Sequence, residues 1–579
     1  MTTDQRAGLP LRPHQSPLRS LLAWNLGATI LGFFALEWWR PCYFLTDDNF
    51  SGLWPTLMEM GRRLKEGRSP FYTDYLFGGH YGALRDMGYG NWHPLVMGLS
   101  LLADTPAQFW IVDLVAFALL LITVTGFTVL AFRLREEFSL LIPDGYLVFY
   151  VLSFVFSTFI LTVGASWMNF LATQSCLPWF MLGLLERRAV RGTFLITLFT
   201  IHEFLIGYLG LLVSVSLCFS IVALVLAVAR RSIRPLFCWG AGNLLAVFVL
   251  SPLILNVLDG FAQSTRVHGM SLDDLTLFAV PPIMFVSSFF AGNWTEPLVR
   301  WMGDSHLASL NFPYLPSILA CPAAWCVGPA LFSRGRWGYL DKLCFGLAVA
   351  LVLLIIRPHA LGVLMQHLPV FRSLRWPFRE GLLFLFFVHL FIILRFREGI
   401  PRWQGPAVIF GLLVFALPLP FIRPPSLNPL ALDRRLLFSG QAAAFWTNVK
   451  AMLHPGDQIV TVIDDSFWKA NARDIPYSLL GTANFPCFFQ VCCGSGYSVT
   501  APEDQKSIKT WPHFWFGAFD EEQVPAILAE RPHLRILRVV STHPLKLTIS
   551  DGSGPQVDLT PAMRAAGITE AASIPPAVH

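Results

Sequence analysis

Residues 107–131 read AQFWIVDLVAFALLLITVTGFTVLA, an apolar run interrupted by a single charge, Asp113. Roughly 20 such residues suffice for a helix to cross the hydrocarbon of a bilayer. Ten further apolar segments flank it, at 21–39, 146–163, 169–185, 193–203, 207–229, 236–257, 313–332, 343–356, 381–396 and 405–422. The 193–203 segment is too short to span unaided and reads as a half-helix or one arm of a tight pair. A twelfth apolar stretch, 276–291, is broken by Pro281-Pro282 and suits a re-entrant or interfacial element. Of all 579 residues 54% are hydrophobic and 14% charged, with a mean hydropathy of +0.55. Soluble proteins carry about 25% charged residues. The expected fold is a polytopic α-helical membrane protein with about 11 transmembrane helices over 21–425.

Positive charge sets the expected orientation. Arg6, Arg12 and Arg19 precede the first segment, and Arg133 and Arg135 follow the second. Basic residues recur at Arg187/Arg188/Arg191, Arg230/Arg231/Arg234, Arg334/Arg336/Lys342 and Arg395/Arg397/Arg402. Every alternate loop is basic, so residues 1–20 form a cytoplasmic tail and the C-terminus lies outside. No cleavable signal peptide is expected, because Met1 to Ser20 is polar and the apolar run after it lacks a small-residue cleavage site. The net charge of +5 is modest, and no nucleic-acid partner is expected. After Pro424-Pro425 the composition shifts. Residues 430–579 alternate β-prone runs (DQIVTVI, LRILRVVS) with turn signals (HPGD, DGSG), as in a small extracytoplasmic α/β domain. Most of the ten cysteines sit in spans as small apolar residues. In the outer domain Cys487 could bridge Cys492 or Cys493, or neither.

Four polar groups gather on the outer side. The first is the loop 41–106, about sixty-five residues where a passive connector needs only a few. It carries Asp47, Asp48, Asp74, His80, Arg85, Asp86 and His93 among aromatics that include Trp54, Tyr75 and Trp92. The second is His202-Glu203, ionisable residues at membrane depth that serve function or tie two helices as a pair. The third, within 258–312, includes Asp259, Arg266, His268 and Glu296 and reads equally as solvated loop charge. The fourth, HLPVFRSLRWPFRE at 367–380, is basic on the outer side. Arg372, Arg375 and Arg379 share one face if the stretch is helical, and Pro377 is tolerated if a helix begins there. Arginine forks suit phosphate, and lipid headgroups would satisfy them as well. A carboxylate can take a proton from an attacking hydroxyl, while arginines stabilise charge on a phosphate leaving group. Asp47-Asp48 also fit the plainer role of capping the helix that follows. With nearby histidines they could ligate a divalent cation such as Mg or Mn, although no tight metal-spacing motif is present.

These segments, in this order, resemble the GT-C class of membrane glycosyltransferases, most closely the bacterial YfhO-like proteins. TDDNFSGLWP and SPFYTDYLFGGHYGALRDMGYGNWHPL are similar to that group's first outer loop, with its acid, short helix and P-x-W/Y-x-P-x-x-F-G-G segment. NFLATQSCLPWFMLGLLERR, IHEFLIGYLGLL, SPLILNVLDGFAQSTR and VFRSLRWPFREGLLFLFF are similar to later family segments, over about residues 20–400. A paired acid stands where the family more often has Gly-Asp, and the His202 turn lacks its Pro and Gln. The resemblance implies a sugar carried on a polyprenyl phosphate, moved with inversion to an extracytoplasmic glycan, lipid or protein acceptor. It implies the cytoplasmic (inner) membrane of a bacterium as the location and cell-envelope assembly as the setting. Asp48, or its neighbour Asp47, would be the base. Arg372, Arg375, Arg379 and Arg266 would hold donor phosphate, and His80, Asp86, Trp92, His93, His202 and Glu203 would contact substrate. Two other classes stay open. One is a non-catalytic scaffold or export factor. The other is a lipid or glycan transporter, against which stand the lack of an inverted repeat and the edge position of the acids. Nucleotide-driven chemistry is not expected, since no Gly-rich phosphate loop ending in Lys-Ser/Thr is present.

Overall fold

The computed structural model describes residues 16–76 except 47, 90–262 except 91, parts of 271–289, and 319–416 except 334–336, 369–370, 372–375 and 399–403. It further describes 435–568 except 463–476, 482–484, 494–517, 520–521, 523, 531–533, 543–544 and 552–553. The principal helices are α1 (Leu18–Trp39), α2 (Trp54–Lys65), α3 (Pro94–Ser100), α4 (Trp110–Glu137), α5 (Asp144–Val155), α6 (Met168–Leu185) and α7 (Ala189–Ile206). They continue with α8 (Leu209–Ala229), α9 (Arg234–Ala262), α10 (Tyr339–Ile356), α11 (Gly381–Leu394), α12 (Gln404–Ala416) and α13 (Gln441–Lys450).

Among the described residues seven helices are long and apolar enough to cross a membrane: α1, α4, α7, α8, α9, α10 and α11 with its flanking turns. The fold is therefore that of a helical membrane protein. The 193–203 segment is not a half-helix: α7 extends it at both ends to 18 residues. Two expected spans break instead. In 146–163, α5 stops at Val155 and a π-turn at Ile160–Gly164 follows. In 313–332, the described part holds a 3-10 turn at Pro322–Cys326 and a single helical turn at Val327–Leu331. In 313–332 the prolines, Pro322 and Pro329 among them, interrupt the backbone ladder although the composition stays apolar.

Helix α11 is apolar all round, as a fully enclosed helix must be, and every one of its residues is buried. The peripheral helices show the reverse. Leu31, Phe34 and Trp38 on α1 and Leu244, Phe248 and Leu255 on α9 are all more than half exposed, an apolar surface suited to lipid. Where α6 and α7 cross, glycine lets the backbones touch. A Cβ on Gly192 would come within 2.6 Å of the Gly183 carbonyl oxygen and 2.9 Å of Cys238 Sγ, the close approach that small residues permit between membrane helices.

Helix α4 has 28 residues, so its ends lie about 42 Å apart. Arginine ion pairs mark one end. Arg135 pairs with Asp144 at 2.5 Å, Arg230 with Glu137, and Arg397 with Asp341 at 2.9 Å. At the other end, Phe44 N–H donates to Asp113 in the first turn of α4 at 3.3 Å, which seats the chain that leaves α1.

The C-terminal part forms one mixed sheet in the order β2-β1-β3-β4-β5, with β1 (Gln458–Val462), β2 (Ala518–Phe519), β3 (Leu534–Thr542), β4 (Leu545–Ser550) and β5 (Val557–Asp558). Strand β1 runs parallel to β2 and β3, and the remaining pairs are antiparallel. Alternation along β1 sends Val460 and Val462 to a cluster with Ile527 and Ile536, while Ile459 joins the main core. The domain packs directly on the first loop. Phe50 meets Phe485 at 5.6 Å, Trp54 meets Phe488 at 6.3 Å, and Cys493 N–H donates to the Tyr75 carbonyl at 3.1 Å. All ten cysteines are free thiols, so Cys487 bridges neither Cys492 nor Cys493.

Gly192→Leu is expected to force α6 and α7 apart and to cost about 1–3 kcal/mol or more. A thermal-unfolding scan of the purified protein in detergent would register this as a clear fall in Tm, whereas Gly240→Leu, with open space around its Cβ, should leave Tm nearly unchanged.

Candidate active site

The chain after α1 is fixed before it reaches Asp48. Glu37 accepts from the Cys42 and Tyr43 amides at 2.8 and 3.1 Å, holding Cys42 at φ 62. Tyr43 OH then donates to the Leu161 carbonyl at 2.6 Å and Thr46 Oγ1 to the Ala165 carbonyl at 2.7 Å. Asn49, fully enclosed, closes the clamp. Its Nδ2 donates to the carbonyls of Phe44 and Ala165 at 2.9 Å each, and its Oδ1 accepts from the Met168 amide at 2.8 Å. Asn49 thus satisfies backbone groups left over where the π-turn gives way to α6, groups that would be costly to bury unpaired.

That clamp sets Asp48 beside Trp167, whose Nε1–H donates to Asp48 Oδ2 at 2.6 Å. Asp48 stands at the N-cap of a π-turn, Asn49–Leu53, but its carboxylate makes no capping hydrogen bond there. The capping role allowed by the sequence is not the one its side chain takes. Trp167 also stacks on Trp376 at 5.5 Å and 23°. Trp376 is held at φ 64, a conformation strained for a bulky residue. Pro377 follows at the first position of a 3-10 turn that leads into α11, where its missing N–H is harmless.

Arg379 lies inside the aromatic cage so formed. Its guanidinium carbon is 4.1 Å from the ring centres of both Trp376 and Tyr208, 5.1 Å from Trp167 and 5.7 Å from Phe170. A guanidinium is weakly hydrated and tolerates such enclosure against π faces. Asp48 and Arg379, far apart in sequence, therefore meet at one indole, the acid on its N–H and the cation near its ring.

A second cluster joins α3, α6 and α7. Leu95 N–H donates to His93 Nδ1 at 3.2 Å, His93 Nε2 lies 3.0 Å from His202 Nδ1, and His202 Nε2 lies 3.0 Å from Ser175 Oγ. Ser175 O–H donates to the Ala172 carbonyl at 2.6 Å. The two fixed ends assign the tautomers: each imidazole is neutral, accepts at Nδ1 and donates at Nε2. Both rings thus spend both nitrogens inside the protein, so the substrate contact expected of His93 and His202 would require this chain to open. Glu203 does not pair with His202. It accepts from Thr173 Oγ1 at 2.7 Å, and the same hydroxyl accepts from the Tyr208 amide at 3.1 Å. Through Tyr208 the second cluster reaches the Arg379 cage.

Of the other expected site residues, Trp92 stacks on Phe71 at 3.6 Å and 15°. Asp47, His80, Asp86, Arg266, Arg372 and Arg375 lie outside the described residues. Trp167, Trp376, Tyr208, Thr173 and Ser175 were not singled out from the sequence. The available signal was the clustering of Trp residues next to the quoted segments NFLATQ and PFRE. Among the described residues no three His, Cys, Asp or Glu side chains are grouped to hold a metal ion. Those residues alone therefore supply no ligand set for the divalent cation that Asp47-Asp48 left open. No protein-family model matches the chain, and no curated protein matches it.

Burial pushes the His93 imidazole down to about 4. Its unfolded value is about 6.5, so the unfolded chain binds the proton first as pH falls. The neutral chain's contribution is whole above pH 6.5 and drains away as pH drops toward 4. Thermal scans at pH 7, 6, 5 and 4 are expected to show His93→Gln losing about 2 kcal/mol less stability than wild type over that window.

Proposed function

We propose that the protein is a GT-C-type membrane glycosyltransferase that moves a sugar from a polyprenyl-phosphate donor to an extracytoplasmic acceptor, with inversion. The observation that carries this reading is the meeting of Asp48 and Arg379 at Trp167, away from the arginine-rich end of the bundle. If that arginine-rich end faces the cytoplasm, the N-terminus is cytoplasmic, and Asp48 and the sheet domain packed on its loop lie outside. A bacterial inner membrane is the location the reading implies.

The chemistry follows from those groups. Asp48 accepts the proton of an acceptor hydroxyl as its oxygen forms a bond to the sugar's anomeric carbon. The bond from that carbon to phosphate oxygen breaks on the opposite side, and the phosphate leaves with the electron pair. Arg379 supplies positive charge for that leaving group, joined in this proposal by Arg372, Arg375 and Arg266. The Trp167 N–H keeps the Asp48 carboxylate oriented for that proton transfer. A divalent metal, Mg or Mn, would assist the same leaving group if Asp47 and its neighbours hold one.

A non-catalytic scaffold is the second reading, favoured by the close packing of the sheet domain on the first loop, which makes a joint surface. The two separate on transfer of radiolabelled sugar in membranes, from a panel of polyprenyl-phosphate sugars. Asp48→Asn is expected to lower transfer about 10²- to 10⁴-fold with insertion and Tm retained, while Trp167→Phe, which keeps the ring and loses the N–H, falls between it and wild type. Full activity in Asp48→Asn would remove Asp48 as base. No transfer from any donor, with a cellular phenotype that survives the substitution, would favour the scaffold.

A further inference from the structure

A pocket among the described residues lies outside the proposed chemistry. It has a volume of about 500 Å³ and lies over α6 between α4 and α7, lined by residues that include His93, Leu121, Thr125, Trp179, Leu198 and His202. That size falls in the range of small-ligand sites, about 300–1,000 Å³. Its wall is chemically closed. Thr125 O–H donates to the Leu121 carbonyl at 2.7 Å, Trp179 Nε1–H to the Ile122 carbonyl at 3.2 Å, and both lining histidines are committed to the neutral chain ending on Ala172. The lining includes no Lys, Arg, Asp or Glu. A ligand therefore finds only hydrocarbon contact there and meets no group to fix a charge.

Two placements identify the occupant. Leu198, in the wall, is 45% exposed, and α7 continues outward through Phe194 at 63% and Val190 at 83%, so the pocket borders the apolar surface that faces lipid. Trp179 is nine residues beyond Phe170 on α6, and nine steps of about 100° put the two on opposite faces of that helix. Phe170 belongs to the Arg379 cage, so the pocket backs onto α6 from the side away from the guanidinium.

We propose that this pocket holds one acyl chain of a bilayer glycerophospholipid, a lipid ligand distinct from any sugar donor whose phosphate Arg379 would meet. Its headgroup stays in the interface, and the inserted chain braces α6 and α7 where Thr173 and Glu203 link to Tyr208.

The test uses the full chain in nanodiscs of phosphatidylglycerol with a small fraction carrying a diazirine on one acyl chain, followed by photolysis and peptide mapping. Labelling is expected on peptides spanning 121–125 and 198–205. Filling the pocket with Thr125→Trp should lower that labelling about tenfold, and Leu198→Trp, at a half-exposed position that tolerates bulk, should do the same if the first variant folds poorly. Leu244→Trp, on the lipid-facing surface of α9, should leave it unchanged. Equal labelling of wild type and both pocket variants would overturn the proposal. So would loss of label to added polyprenyl phosphate but not to unlabelled phosphatidylglycerol, which would assign the pocket to a prenyl tail. None of these readouts requires sugar transfer, so the pocket and the catalytic reading fail independently.

Discussion

The buried side-chain amide of Asn49 is the constraint on which the rest of the Asp48 end of the bundle depends. A membrane-buried chain must satisfy every backbone polar group internally, and the break between α5 and α6 leaves carbonyls and an amide without helical partners. Asn49 meets them from a different part of the chain, with Nδ2 on Gly164 and Ala165 and Oδ1 on Met168, while Nδ2 also holds its own segment through Phe44. A single apolar substitute could fill the volume but not the hydrogen bonds. Because the amide fixes the first loop against the start of α6, it also fixes the neighbours on either side, Asp48 and Trp167.

From that anchor the aromatic cage assembles around Arg379. Enclosing a guanidinium costs hydration, and four aromatic rings return part of it through their π faces. The cage also explains why a tryptophan tolerates φ 64 before Pro377: the strained turn is what points Trp376 at the cation. The neutral histidine chain is built on the opposite logic. It carries no charge, spends every donor and acceptor internally, and so passes from α3 to α6 through apolar surroundings at little cost. The Thr173 hydroxyl, bonded to both Glu203 and the Tyr208 amide, couples the charged cage to the neutral chain.

The sheet domain adds a further layer. Its aromatic residues Phe485 and Phe488 pack on Phe50 and Trp54 of the first loop, so that loop is held from the bundle side by Asn49 and from the other by the domain. A long, glycine-rich connector gains two fixed flanks in this way, and the described site lies near the bundle-side one.

Composition and periodicity alone determined that the chain is a helical membrane protein, where most of its helices lie, and that a small sheet domain follows them. Those properties come from local runs of apolar residues, and lipid reads hydrophobicity one segment at a time. The tolerance of Pro377 at a helix start was legible for the same reason. What the sequence could not specify was which side chains meet. The breaks at 156–157 and within 319–332 escaped notice because apolar composition masks a lost backbone ladder. Trp167 looked like one of many aromatics until the Asn49 clamp brought it to Asp48, and His202-Glu203 looked like a pair although each faces a different residue of α6. Adjacent residues on a helix diverge by about 100°, and partners more than a hundred residues apart are chosen by packing, so only the tertiary structure could decide the site.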